Sequence, residues 1–183
     1  MNYIEIILEN ISKKYLDEII GEILKFDVDF VISSHFFDEI SNQDMEFKDI
    51  KSLLNYFNHS GTGNIFLEKV EIGIVLEKVL IIISCEEELG DITINFSEEQ
   101  FIGYENAKLS NEVLKLFQFL CKLSKSYSID NIFIGYEPAT DDDMKMIEFN
   151  RGSMKLYNQK IFQLPFAKAL YNTSFLFKRI LSN

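Results

Sequence analysis

The chain is predicted to be α+β, with a mainly antiparallel mixed sheet of about seven to eight strands packed with about four helices. Three observations predict this. Apolar residues switch along the chain between a spacing near 3.6 and strict alternation or short continuous runs. Several strand-like segments follow one another too closely for a crossover helix, so they pair antiparallel. Hydrophobic residues make up 47% and aromatics 14% of the 183 residues, which excludes a disordered acidic tail. A chain of this size buries roughly 70% of its extended-chain surface. It carries no linker-like stretch and no internal repeat, so residues 1–183 are expected to form one domain. With 2 Pro and 8 Gly, punctuation is sparse and boundaries come from hydrophobic period.

Tyr3 to Leu8 reads as a strand of β-branched and aromatic residues. Ser12 stands where its hydroxyl could cap the next helix. Tyr15, Leu16, Ile19, Ile20, Ile23 and Leu24 form one apolar stripe, the clearest helix in the sequence. Val28, Phe30 and Ile32 alternate with Asp29, Val31 and Ser33, as a strand with one face in the core would. A second helix is expected over Asp44 to Asn58, where Phe47, Ile50, Leu53, Leu54 and Phe57 share a face. The stretch 58–64, Asn-His-Ser-Gly-Thr-Gly-Asn, ends it as a loop.

Three strands are expected near 65–76, 78–86 and 91–96. Leu80, Ile81, Ile82 and Ile83 form an uninterrupted apolar run, which implies a central strand covered on both faces. On that reading Ile82→Asp unfolds the protein. Ile92, Ile94 and Phe96 alternate with Asp91, Thr93 and Asn95, as in a strand with one wet face. A long helix follows from Asn106 to Ser126, burying Leu109, Val113, Leu116, Phe117, Leu120 and Leu123, and then a strand over Asn131–Tyr136. The next segment has two readings. Thr140 and Asp143 match a capping box, whereas Lys145–Phe149 and Met154–Tyr157 flank a turn at 150–153 and read better as a hairpin. Pro165 fits the first turn of a last helix, with Phe166, Leu170, Phe175, Leu176 and Ile180 in helical register.

The 18 Lys and Arg stand against 29 Asp and Glu, a formal charge of −11. Such a charge disfavours nucleic acid and anionic membranes, since binding either requires cations to displace counterions. It suits a basic protein partner, although solubility alone also accounts for acidity. Cys85 and Cys121 lie on apolar faces, lack zinc or redox spacing, and read as small buried hydrophobes. The opening MNYIEIILEN has no basic stretch before a long apolar core, and the run VLIIISC is far shorter than the about 20 residues a membrane span needs. A cytoplasmic location is expected.

No decisive catalytic constellation appears, and no catalytic residue, cofactor or metal is expected. His35 follows Ser33 and Ser34 and precedes Asp38, but the surroundings lack a nucleophile elbow. His59 precedes Ser60-Gly61-Thr62-Gly63, which lacks the Lys-Ser/Thr pair of a phosphate loop; helix termination and a turn explain these glycines. The clusters Glu86-Glu87-Glu88 and Asp141-Asp142-Asp143 could ligate a hard cation but lack the EF-hand spacing. Mutual repulsion turns such acids toward water, where they serve solvation or a protein partner. With Glu137, these six are the candidate partner-binding residues. If the strands preceding the two clusters run parallel, the acids form one patch; if antiparallel, they separate. Lys168, Lys178 and Arg179 complement the dipole of the last helix.

The segments IFIGYEPATDDDMKMIEF and PFAKALYNTSFLFKRIL, taken with the size and acidity of the chain, resemble the small acidic immunity proteins encoded beside bacterial polymorphic or contact-dependent toxins. That resemblance implies a cytoplasmic α+β protein that binds a toxin and occludes its active or substrate-binding surface without catalysis. The implied partner is a basic toxin domain. Two other readings stand beside it: a phage or mobile-element accessory protein that sequesters a host factor, and a hydrolase using His35 or His59.

Overall fold

The first strand, β1 (Tyr3–Ser12), places Ile4, Ile6, Leu8 and Ile11 in the core with no exposed surface, while Glu5, Ile7 and Glu9 point the other way. That division of faces governs the whole molecule. The computed structural model describes residues 2–25, 30–38, 42–150, 153–157 and 165–181.

A 3-10 turn (Lys13–Tyr15) leads into α1 (Leu16–Leu24). The turn displaces the helix start from Ser12, whose hydroxyl makes no cap hydrogen bond. Next come β2 (Val31–Asp38), β3 (Gln43–Met45), a 3-10 turn (Phe47–Asp49) and α2 (Leu53–Tyr56). Here two expectations are corrected. The helix expected over 44–58 shrinks to α2, because β3 pairs with β2 and the Phe47 N–H donates to Ser34 Oγ at 2.7 Å. Ile50 is extended, and Ser52 and Asp17 cap the short helix that remains. In β2 the alternation is reversed: Phe30 and Ile32 face outward and Val31 and Phe36 inward, with an irregularity between Val31 and Ser33.

Three long strands build the centre: β4 (Gly61–Glu71), β5 (Val75–Glu86) and β6 (Leu89–Ser97). The expected loop over 58–64 therefore ends four residues early, and Gly61–Asn64 belong to β4. Gly63 sits there because the Phe36 ring lies against its backbone; a Cβ would fall 2.1 Å from a ring carbon. After a 3-10 turn (Glu98–Phe101), α3 (Asn106–Tyr127), β7 (Asn131–Tyr136), β8 (Lys145–Asn150), β9 (Ser153–Leu156) and α4 (Pro165–Leu181) complete the fold. The hairpin reading of 145–157 is the observed one, β8 pairing with β9. Of the expected features, Val28 and Asp29, Arg151 and Gly152 of the hairpin turn, and the side chains of Asp38, Arg179 and Ile180 lie outside the described residues.

Among the described residues the strands form one nine-stranded sheet in the order β3-β2-β4-β5-β6-β1-β7-β8-β9, antiparallel at every pairing rather than mixed. Among the described residues, the four α-helices sit on one face. The core there joins Ile4, Ile6 and Leu8 to Ile65, Leu67, Val79, Ile81 and Ile83 of the sheet, and to the buried stripes of α1, α3 and α4. The apolar run of β5 is thus covered on one side only. Ile81 and Ile83 have no exposed surface, whereas Leu80 and Ile82 are partly exposed on the opposite face. The expectation that Ile82 lies between two covered faces does not hold.

Candidate partner-binding surface

The strand register specifies what the helix-free face presents. His35, Asn64, Ile82 and Thr93 lie in one row across β2, β4, β5 and β6, and Phe66, Leu80, Asn95 and Glu5 lie in the next across β4, β5, β6 and β1. Phe66, Leu80 and Ile82 give this surface a partly exposed apolar middle. The Oδ1 atoms of Asn64 and Asn95, which flank that strip, are shielded from solvent and have no hydrogen-bond partner among the described residues. A buried acceptor left unpaired is costly, on the order of 1–3 kcal/mol.

One end of the face is the tight β5–β6 turn, where Glu87 adopts a left-handed backbone at φ 45°. Glu86, Glu87, Glu88 and Asp91, with Asn10 and Ser84, line a half-open recess of about 510 Å³. Asp91 accepts the Asn10 N–H at 2.9 Å, and Asn131 donates to neighbouring Glu9 at 3.4 Å. Partial burial raises the Glu9 carboxyl above the ordinary carboxylate range; Asp91 and Glu148 push in the same direction.

The other end is covered by the segment 137–144. The Ala139 N–H donates to Glu5 Oε2 at 2.8 Å, and Ala139 packs with Ile7 and Phe133 on the helix-free side. Burial raises the Glu5 carboxyl despite that bond. Asp141 closes the segment, its carbonyl accepting the N–H groups of Met144 and Lys145 at 2.9 and 2.8 Å. Lys145 Nζ lies 4.3 Å from the Phe133 ring centre and 3.7 Å from Asp142 Oδ1. Lys155 donates to Tyr157 Oη at 2.8 Å, and Tyr157 donates to Glu148.

The two predicted acidic clusters do not form one patch. β5 and β7 run antiparallel with β6 and β1 between them, so Glu86–Glu88 and Glu137/Asp141–Asp143 emerge at opposite ends of the sheet. By the strand register Gly135 is level with Glu5, Asn95 and Leu80, and Glu86 lies six residues further along β5, about 20 Å at the usual rise. The clusters bracket the helix-free face along the strands. Glu5, Glu9, Asp91 and Glu148 were not predicted for this surface. The signal is the placement of acids an even number of residues from one another or from polar residues among apolar ones in EIILEN, GDITIN and, for Glu148, KMIEFN, which puts carboxylates on the face opposite the core.

The other candidates are dispersed. His35 lies within β2 rather than beyond a strand, exposed, with Nδ1 3.5 Å from Asp44 Oδ1. Ser34 is engaged by the Phe47 N–H, and His59 stands exposed before β4. Cys85 and Cys121 are free; burial pushes the Cys85 thiol up to about 11, and Gly90 leaves room for its sulfur. Among the described residues, no three His, Cys, Asp or Glu side chains are grouped to hold a metal ion, and no helix is long and apolar enough to cross a membrane.

Residues 2–152 match the family model of the PABL017 Cdi1I immunity protein. The chain belongs to that family. The match spans β1 to β8, leaving β9 and α4 beyond it. No curated protein matches this immunity-family sequence. Its fold is similar to a chain in the crystal structure of the toxic C-terminal tip of CdiA from Pseudomonas aeruginosa in complex with immune protein. The TM-score is 0.64 at 18% identity, over 87% of this chain and 99% of that one.

Proposed function

We propose that this protein binds a cognate bacterial toxin domain and neutralises it by occluding its active or substrate-binding surface. The family match over residues 2–152 carries this reading. It favours immunity over an accessory protein that sequesters a host factor. It also favours a non-catalytic binder over a hydrolase built on His35 or His59. A cytoplasmic site of action fits the same reading, because a toxin delivered into or made in a cell must be met there.

The partner we assign is a basic toxin domain, on the strength of the −11 charge. Glu86, Glu87, Glu88, Glu137, Asp141, Asp142 and Asp143 are assigned to the encounter with it, as two groups rather than one. The test is co-expression. The toxin domain encoded by the neighbouring reading frame is induced in a bacterial host with and without this chain. Restored growth is the expected result; undiminished killing at matched expression would contradict it.

A further inference from the structure

We propose that the toxin docks on the helix-free face of the sheet, with an apolar patch against Phe66, Leu80 and Ile82 and basic side chains at the two acidic ends. This rests on the toxin-binding reading above and goes further by naming the surface. Charge distinguishes the helix-free face from the surface of α3 and α4. α3 and α4 carry exposed Lys108, Lys115, Lys122, Lys125, Lys168 and Lys178 against a single carboxylate, Glu112. The helix-free side carries Glu9, Asp91 and Glu148, with the recess acids at one end and the Asp141–Asp143 segment at the other. Two cations there, Lys145 and Lys155, are already engaged, the first by Asp142 and two aromatic rings, the second by Tyr157. A basic partner is therefore attracted to the sheet and repelled by α3 and α4, although Asp17, Glu18 and Glu22 of α1 also lie on the helix side, Glu22 holding Lys122 at 2.7 Å.

A second observation points to the same face. Asn95 is 9% exposed, and its Oδ1, like that of Asn64, has no donor among the described residues. An amide oxygen only accepts, so completing either one takes a donor, such as Lys or Arg, together with a small side-chain shift that opens it to the partner. These two acceptors flank an apolar strip with a charged surround, the arrangement of an interface core and rim.

The experiment is a calorimetric titration of the full chain with the toxin domain encoded beside it. The open-face variant is Thr62→Lys with Ser84→Lys, two neighbours whose hydroxyls lie 3.3 Å apart. The helix-face variant is Lys108→Glu with Lys125→Glu. The expected result is an affinity loss of about 100-fold or more for the first and a change within about threefold for the second. Open-face binding within threefold of wild type would overturn the docking surface while toxin binding stands. A wild type that does not bind overturns both. Should the lysine pair fail to fold, Thr93→Cys replaces it, with maleimide labelling of that position followed by peptide mass spectrometry. Slowing of about tenfold or more on adding toxin is expected for a contact excluded from water, and an unchanged rate would overturn the proposal.

Discussion

Glu98 has no exposed surface, yet it is a carboxylate. Its Oε2 accepts the Tyr136 hydroxyl at 2.7 Å and its Oε1 accepts the Ala167 N–H at 3.0 Å, so it caps α4 and ties that helix to β7. Burial dominates and raises its carboxyl above the ordinary range, with the hydrogen bonds pulling the other way. The Tyr136 hydroxyl is likewise raised, chiefly by burial and then by its bond to Glu98. A carboxyl raised in the folded state contributes stability that is fully present below its unfolded value and is lost as pH rises through the folded one. Glu98→Gln keeps both partners, since the amide can donate to Tyr136 and accept from Ala167. Melting temperatures of the two proteins from pH 4 to pH 8 should therefore move in the variant's favour as pH rises. Parallel curves would contradict the burial argument. The sequence offered no hint of this role, because Glu98 reads as one more acid in SEEQ and its partners stand 38 and 69 residues away.

At the level of elements, β5 tests how a sheet covered on one face distributes its stability. Ile81 and Ile82 are sequence neighbours on opposite faces, the first within the core and the second on the open side. Ile81→Asp should unfold the protein, because an unpaired carboxylate in an apolar core costs several kcal/mol. Ile82→Asp should leave a folded protein with a modestly lower melting temperature. Circular dichroism melts check the pair; equal loss for both would mean that the second face is covered as well. The run LIII gave the strand but not its exposure, since continuous apolar residues fit a doubly covered strand and a sticky open one equally well. Long periodic segments such as α3, and short turns such as the one joining β8 to β9, were legible because their signals are local. The segment 44–58 predicts a helix because its apolar spacing is helical, while Ser34, Asp17 and the free edge of β2 compete for its backbone from far away in sequence. Gly63 was read as loop punctuation; its small size in fact serves the Phe36 ring on the adjacent strand.

For the whole molecule, composition disclosed the sign of the field but not its arrangement. The acids of two turns were legible as runs; their placement at opposite ends of one face depends on the order of strands across the sheet, which no local signal carries. If the field steers a basic partner, replacing Asp141, Asp142 and Asp143 by lysine should slow association about tenfold, and added salt should slow the wild type similarly. Stopped-flow association rates against ionic strength read both effects, and rates indifferent to both would remove these carboxylates from the encounter. The most direct test of the central claim, neutralisation by binding, is to titrate the toxin domain's activity with this protein while measuring complex formation in the same samples. The expected result is a stoichiometric complex whose formation and loss of toxin activity rise together to the same end point. Protection of cells without any complex between the purified partners, or a complex that leaves the toxin fully active, would contradict it.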